Sequence, residues 1–165
     1  MSAPVGGFGS ITRAGYERLQ AELDQLVEVE RPLIAQWLRD ARDDGGEPGE
    51  NADVAGALEE RASLEKRIND LRRRLATARI VEPVEDGTVG IGAYVRLRAG
   101  SRELDYQLVG AAEGDPTQHR LSIDSPVGQA LAGHAAGDVV TVDAPSGRRT
   151  FEILAVSYAR DALAA

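Results

Sequence analysis

Val54, Ala57, Arg61, Leu64, Ile68, Leu71, Leu75 and Ala78 recur at alternating steps of three and four residues without a slip, and only Arg61 among them is long and polar. That spacing lays one apolar stripe along an α-helix. Upstream, Leu19, Leu23, Leu26, Leu33 and Trp37 follow the same heptad, with Glu30 as the polar intruder. Pro32 lies inside this first run and costs about 3 kcal/mol in a helix interior, so a kink or local break is expected near Arg31. The heptad phase survives across it, which favours a kink over a stop. Between the runs stands Asp43-Asp44-Gly45-Gly46-Glu47-Pro48-Gly49-Glu50-Asn51-Ala52-Asp53, a Gly/Pro-rich acidic turn. Two helices that pack along their length expose whatever joins them, so residues 11–81 read as an antiparallel coiled-coil hairpin with its tip at 43–53. At a rise of about 1.5 Å per residue the tip stands roughly 35 to 40 Å from the base. A coiled-coil spacer with no further role is the plain alternative.

The remaining sequence changes period. Met1 to Ser10, rich in glycine, reads as a flexible tail, and Thr12 as the cap of the first helix. Glu82-Pro83-Val84-Glu85-Asp86-Gly87 ends the second helix and opens a linker taken as 82–90. Tyr94 to Arg98 alternates as a strand, Ala99-Gly100-Ser101 turns, and Leu104, Tyr106 and Leu108 alternate again. Gly110 to Thr117 reads as a polar loop, His119 to Ile123 as a short strand, and Pro126 to Leu131 as a short helix with Gly133 near its end. Asp138 to Ala144 and Thr150 to Tyr158 make a last hairpin around Pro145-Ser146-Gly147, and 160–165 a loose end. The fold class is therefore α+β: a helical hairpin followed, over 91–159, by a small antiparallel sheet with one short helix.

Composition narrows the chemistry. Aromatics are 4% of residues, which disfavours a large aromatic-lined pocket and small-molecule enzymology with it. A formal charge of −8 argues against general binding to duplex nucleic acid. Without cysteine there is no disulfide frame, thiolate zinc site or cysteine nucleophile, in keeping with a reducing cytoplasm. The N-terminus has neither the basic start nor the apolar run of a signal peptide, and no stretch approaches the roughly 20 apolar residues of a membrane span. A soluble, monomeric, cytoplasmic protein is expected.

Three constellations carry chemistry. The tip gathers Asp43, Asp44, Glu47, Glu50 and Asp53, hard oxygen donors suited to Mg²⁺. A turn this rich in glycine cannot impose octahedral geometry, so these carboxylates can complete a metal site supplied by a partner but not build one. Alternatively they cap the second helix and keep the turn solvated. The second helix bears Arg61, Lys66, Arg67, Arg72, Arg73, Arg74 and Arg79, read either as a strip facing a nucleic-acid strand or as a solvated face paired with interleaved Glu and Asp. His119 and His134 have no ligand spacing and read as surface or structural residues.

From about Ile11 to Tyr158 the chain resembles the bacterial GreA/GreB transcript cleavage factors. The resemblance rests on Thr12-Arg13-Ala14-Gly15, Leu19 to Leu26, Arg31-Pro32 with Ile34, Ala41-Arg42, Glu50-Asn51-Ala52 and Arg67-Ile68. It continues through Ile123-Asp124-Ser125-Pro126, Ala130-Leu131 with Gly133, Gly137-Asp138-Val139-Val140, Ala144-Pro145-Ser146-Gly147, Phe151, and Val156 to Tyr158. It implies a coiled-coil finger that enters the secondary channel of bacterial RNA polymerase and an FKBP-like C-terminal domain that docks at the channel rim. It also implies an accessory factor rather than an enzyme. The polymerase's own active site cuts the backtracked RNA 3′ end, tip carboxylates help to hold a Mg²⁺ shared with the polymerase, and no cofactor is bound independently. Glu50 matches the family's tip, with Glu47 as the second carboxylate and Asp43 and Asp44 in reserve; Asp124, Ser125 and Pro126 match the rim-docking loop. Arg61, Lys66 and Arg67 are the residues placed to face RNA.

The tip departs from the family pattern of Gly-Asp, two further residues and Glu-Asn-Ala-Glu-Tyr. Counted back from Glu50 the Asp position holds Glu47, counted forward from Arg42 it holds Gly46, and the aromatic position holds Val54. One residue is inserted. Three functions follow from this: a cleavage factor with a re-aimed carboxylate, a channel-binding inhibitor with an altered tip, or a prolyl-isomerase or chaperone-like module on a helical handle. The last has only Tyr94, Tyr106, Phe151 and Tyr158 for an aromatic pocket.

Overall fold

The computed structural model describes residues 9–43, 52–145 and 147–159. The chain divides into two compact units, residues 16–77 and residues 1–15 with 78–165.

The first unit is a helical hairpin. Helix α1 (Arg13–Gln25) passes through a π turn at Leu26–Glu30 into α2 (Arg31–Asp43), and α3 (Ala52–Thr77) returns alongside. Pro32 causes the π turn. It has no N–H to give, and its ring would collide with the carbonyl four residues back. Widening the turn just ahead removes that conflict, and Arg31 N–H donates to Leu26 O, five residues back. The irregularity expected near Arg31 takes this form: the helix does not stop but continues with one extra residue wound in, and the heptad phase expected to survive Pro32 is lost.

That residue corrects the packing seam. An added residue rotates everything after it by roughly 100°. Leu26 is buried as its heptad requires, but Leu33 and Trp37 are 64% and 41% exposed. Ile34, Leu38 and Ala41 take the inward positions instead. Helix α3 has no such slip, and Val54, Ala57, Leu64, Ile68 and Leu71 are all buried as their spacing requires. Two clusters hold the hairpin: Leu26, Leu64, Ile68 and Leu71 with Leu19, Leu23, Val27 and Ile34 against them, then Leu38, Ala41, Val54 and Ala57.

The second unit is a sheet with one short helix. Its strands are β3 (Tyr94–Ala99), β4 (Arg102–Val109), β5 (Arg120–Ser122), β6 (Val139–Ala144) and β7 (Gly147–Ser157), in the order β5-β4-β3-β7-β6. All pairs are antiparallel except β4 with β5, which run parallel with Gln107 opposite Arg120. The all-antiparallel expectation fails there because β4 and β5 are joined by two 3₁₀ turns, at Ala111–Glu113 and Pro116–Gln118, instead of a hairpin. Helix α4 (Pro126–Leu131) packs on the core, and Gly133 beyond it adopts φ 79°, the left-handed conformation that ends a helix. The core gathers Ile91, Val95, Leu97, Leu108, Ile123, Leu131, Phe151 and Ile153. Val89 joins it from the 82–90 stretch, its N–H bonded to His134 O at 2.7 Å.

The same unit takes in the start of the chain. Ser10–Ile11 forms β1 in parallel with β2 (Arg79–Ile80), so Ser10, assigned by composition to a tail, is in a strand and buried. Thr12 caps α1 as expected, its Oγ1 accepting from Gly15 N–H at 2.9 Å. Its partner is Glu113, within the stretch read as a polar loop. This carboxylate is 6% exposed and accepts from Thr12 N–H at 2.7 Å, Thr12 Oγ1 at 2.6 Å and Gly110 N–H at 3.1 Å. A buried carboxylate with donors of this kind keeps the polar partners it lost with water. Gly15 and Gly110 are required beside it: a Cβ on the first would overlap the Glu113 carboxylate and one on the second the backbone of Ser10.

Candidate functional site

Antiparallel packing of α2 and α3 brings Asp43, the last residue of α2, and Asp53, in the first turn of α3, to the same end of the hairpin, both exposed. With 26 residues, α3 places that end about 39 Å from its own C-terminus. Asp53 sits where the helix dipole favours negative charge. Asp44, Glu47 and Glu50 lie outside the described residues. Among the described residues no three His, Asp or Glu side chains group as a metal site. Val54, at this end of α3, is 2% exposed and packs with Leu38, Ala41 and Ala57.

The basic residues separate. Arg61 lines a hollow of about 630 Å³ on one side of the hairpin, together with Arg31, Arg39 and Arg42 from α2, over a floor of Ile34, Ala35, Leu38 and Leu64. Arg31 is held there by Glu65 through two hydrogen bonds of 2.8 and 2.6 Å. That pairing raises the Arg31 pKa and lowers that of Glu65, in both cases through the side-chain hydrogen bond first. Arg67 is instead bonded to Glu22 at 2.8 Å, and Lys66 is exposed with no hydrogen bond or ion pair among the described residues. The sequence stripe of Arg61, Lys66 and Arg67 is therefore not one surface. The cluster that does form draws on α2, which only the phase shift at the π turn could have disclosed.

Asp124, Ser125 and Pro126 form the loop from β5 into α4. Ser125 Oγ accepts from Gly128 N–H at 3.1 Å and donates to Ser122 O at 2.7 Å, so it caps the helix, and Pro126 occupies the first turn. Asp124 is held only by its backbone, N–H to Ser122 Oγ at 3.1 Å and O from Gln129 Nε2 at 3.2 Å. Its half-buried carboxylate makes no hydrogen bond or ion pair among the described residues. A hydrogen-bonded loop thus presents a carboxylate with no partner among the described residues. His119 meets Asp105 O at 3.2 Å and His134 meets Asp138 at 3.1 Å, neither beside the other.

Two family models divide the chain between them. The N-terminal domain of a transcription elongation factor matches residues 10–80, and the C-terminal domain of the GreA/GreB transcription elongation factors matches residues 84–158. The chain belongs to the GreA/GreB family. Transcription elongation factor GreA of Alkalilimnicola ehrlichii is 39% identical over 153 residues, covering 90% of this chain and 96% of its own length. GreA of Helicobacter hepaticus is 40% identical over 152 residues, covering 90% and 93%. Among solved structures, GreA factor homolog 1 of Thermus thermophilus is 32% identical over 90% of this chain and 97% of its own, with a TM-score of 0.41. The match to GreA/GreB spans both the hairpin and the sheet, so the resemblance seen in the sequence holds along the chain. No helix among the described residues is long and apolar enough to cross a membrane.

Proposed function

We propose that this GreA/GreB factor binds bacterial RNA polymerase, enters its secondary channel with the hairpin and stimulates Mg²⁺-dependent cleavage of backtracked transcripts. The observation that carries the reading is the hairpin itself: two packed helices bring Asp43 and Asp53, which bracket the acidic run in the sequence, to the same end, both exposed. Exposed carboxylates at the end of a two-helix hairpin suit a site that a partner completes. Glu50, and after it Glu47, would lend oxygens there, with Asp43 and Asp44 in reserve. Bound there with the polymerase, a Mg²⁺ held in part by Glu50 and Glu47 would supply an activated water and stabilisation of a leaving phosphoryl oxygen. The chain's own residues position and charge that end; the factor is an accessory, not an enzyme. The arginine-lined hollow, with Arg61, faces the RNA, and the Asp124 carboxylate, set by Ser125 and Pro126, docks at the channel rim.

The test adds the full-length factor to backtracked elongation complexes with Mg²⁺ and follows the labelled transcript. Shortening above the intrinsic rate that Glu50→Gln abolishes, with polymerase binding retained, is the expected result. Slowed nucleotide addition without shortening would replace this reading with a channel-binding inhibitor.

A further inference from the structure

Strand β7 outruns its neighbour. The last residue of β3 paired with it is Arg98, opposite Glu152, after which the chain turns through Gly100 into β4. From Phe151 to Gly147, β7 is paired with β6 alone. In an antiparallel ladder alternate residues aim their backbone groups to opposite sides. Ile153 N–H donates to Asp138 O, on the β6 side, at 2.9 Å, so Phe151 and Arg149 also face β6, while Thr150 and Arg148 face the side that β3 has vacated. The contact between the Thr141 and Thr150 hydroxyls, 3.5 Å apart, fits that phase.

The vacated side is a hollow of about 380 Å³ lined by Ala99, Gly100, Arg102, Leu104, Arg149, Thr150 and Phe151. Ala99, Leu104 and Phe151 share the core face of the sheet, because Leu104 lies opposite core residue Leu97 and Phe151 alternates with Ile153. The hollow is therefore the open end of the core. Its two flanking cations, Arg102 and Arg149, are exposed and make no hydrogen bond or ion pair among the described residues. Elsewhere on this sheet Arg96, Arg98 and Arg148 are matched to Asp105, to Glu103 and Glu152, and to Asp143.

We infer that this end of the sheet is a docking site for an extended acidic segment of a partner protein, added as a short strand beside β7. The outward ladder groups at Thr150 and Arg148, unpaired among the described residues, supply main-chain hydrogen bonds, the apolar floor takes alternate side chains, and Arg102 and Arg149 select carboxylates. The inference is independent of the hairpin and of cleavage. The two unmatched arginines commit the site to acidic polypeptide on a chain whose net charge is −8.

The test titrates ¹⁵N-labelled full-length protein with a synthetic peptide alternating glutamate with valine and leucine, blocked at both ends, and measures its affinity by anisotropy. Binding is expected to shift and protect the Arg148 and Thr150 amides. Arg102→Glu with Arg149→Glu should weaken it by roughly tenfold or more while circular dichroism is unchanged. Thr150→Pro removes the outward N–H, together with the hydroxyl contact to Thr141, and should weaken the peptide without altering charge or the backbone bonds to β6, whereas Thr150→Val, which loses the hydroxyl alone, should bind as the parent does. A peptide with lysine for glutamate, and a single-stranded RNA oligonucleotide, should leave these amides unmoved. Absence of binding, shifts confined to other strands, affinity kept in both the charge-reversed and proline variants, or equal perturbation by RNA would each overturn the inference.

Discussion

Gly15→Ala tests the account of the first helical turn because helix propensity and tertiary packing predict opposite signs. Gly15 lies within α1, where alanine is normally the better residue by about 0.5–1 kcal/mol. The added methyl, however, would overlap the Glu113 carboxylate, a group 6% exposed. Glu113 must then move away from Thr12 N–H, Thr12 Oγ1 and Gly110 N–H, now at 2.7, 2.6 and 3.1 Å. Hydrogen bonds to a charged acceptor are worth about 1.5–3 kcal/mol each. Losing one and stretching the others, less the propensity gain, gives a net loss of about 2–4 kcal/mol. Urea unfolding followed by far-ultraviolet circular dichroism measures it as a lowered midpoint at constant slope. A cycle with Glu113→Ala isolates the cause, since Gly15→Ala should cost much less once the carboxylate is gone. A Gly15→Ala protein as stable as the parent, or more stable, would refute the reasoning.

The phase shift at Pro32 makes a paired prediction. Leu38→Ala should cost about 2–4 kcal/mol and Leu33→Ala under about 1 kcal/mol by thermal or urea unfolding, the reverse of what an unbroken heptad requires. For pH, Glu65 has its pKa lowered by Arg31, so the stabilisation from this pair is present above the ordinary glutamate range and lost as pH falls through the lowered folded value. Glu65→Gln should accordingly flatten the acid limb of the stability profile, and an unchanged limb would remove the pair from the account. Asp124→Ala should weaken binding to bacterial RNA polymerase by about tenfold while moving the unfolding free energy by less than about 0.5 kcal/mol, because its carboxylate has no partner to lose among the described residues.

The sequence by itself determined the elements whose cause is local. The three-four spacing from Val54 to Leu75 dictates α3, though its last step to Ala78 falls beyond the helix, period two dictates β3 and β4, and Ser125-Pro126 with Gly133 bound α4, because capping, dihedral limits and one-sided burial act within a few residues. The motifs that carry the GreA/GreB resemblance were legible for the same reason. Tertiary structure alone decided three things. The π turn moved the seam from Leu33 and Trp37 to Ile34 and Leu38, since a heptad count assumes a constant number of residues per turn. It thereby drew Arg31, Arg39 and Arg42 beside Arg61, a cluster whose members come from two different helices. Glu113 became the partner of Thr12, 101 residues away, and no local rule reports that a carboxylate in a polar loop will be buried under donors brought from the other end of the chain.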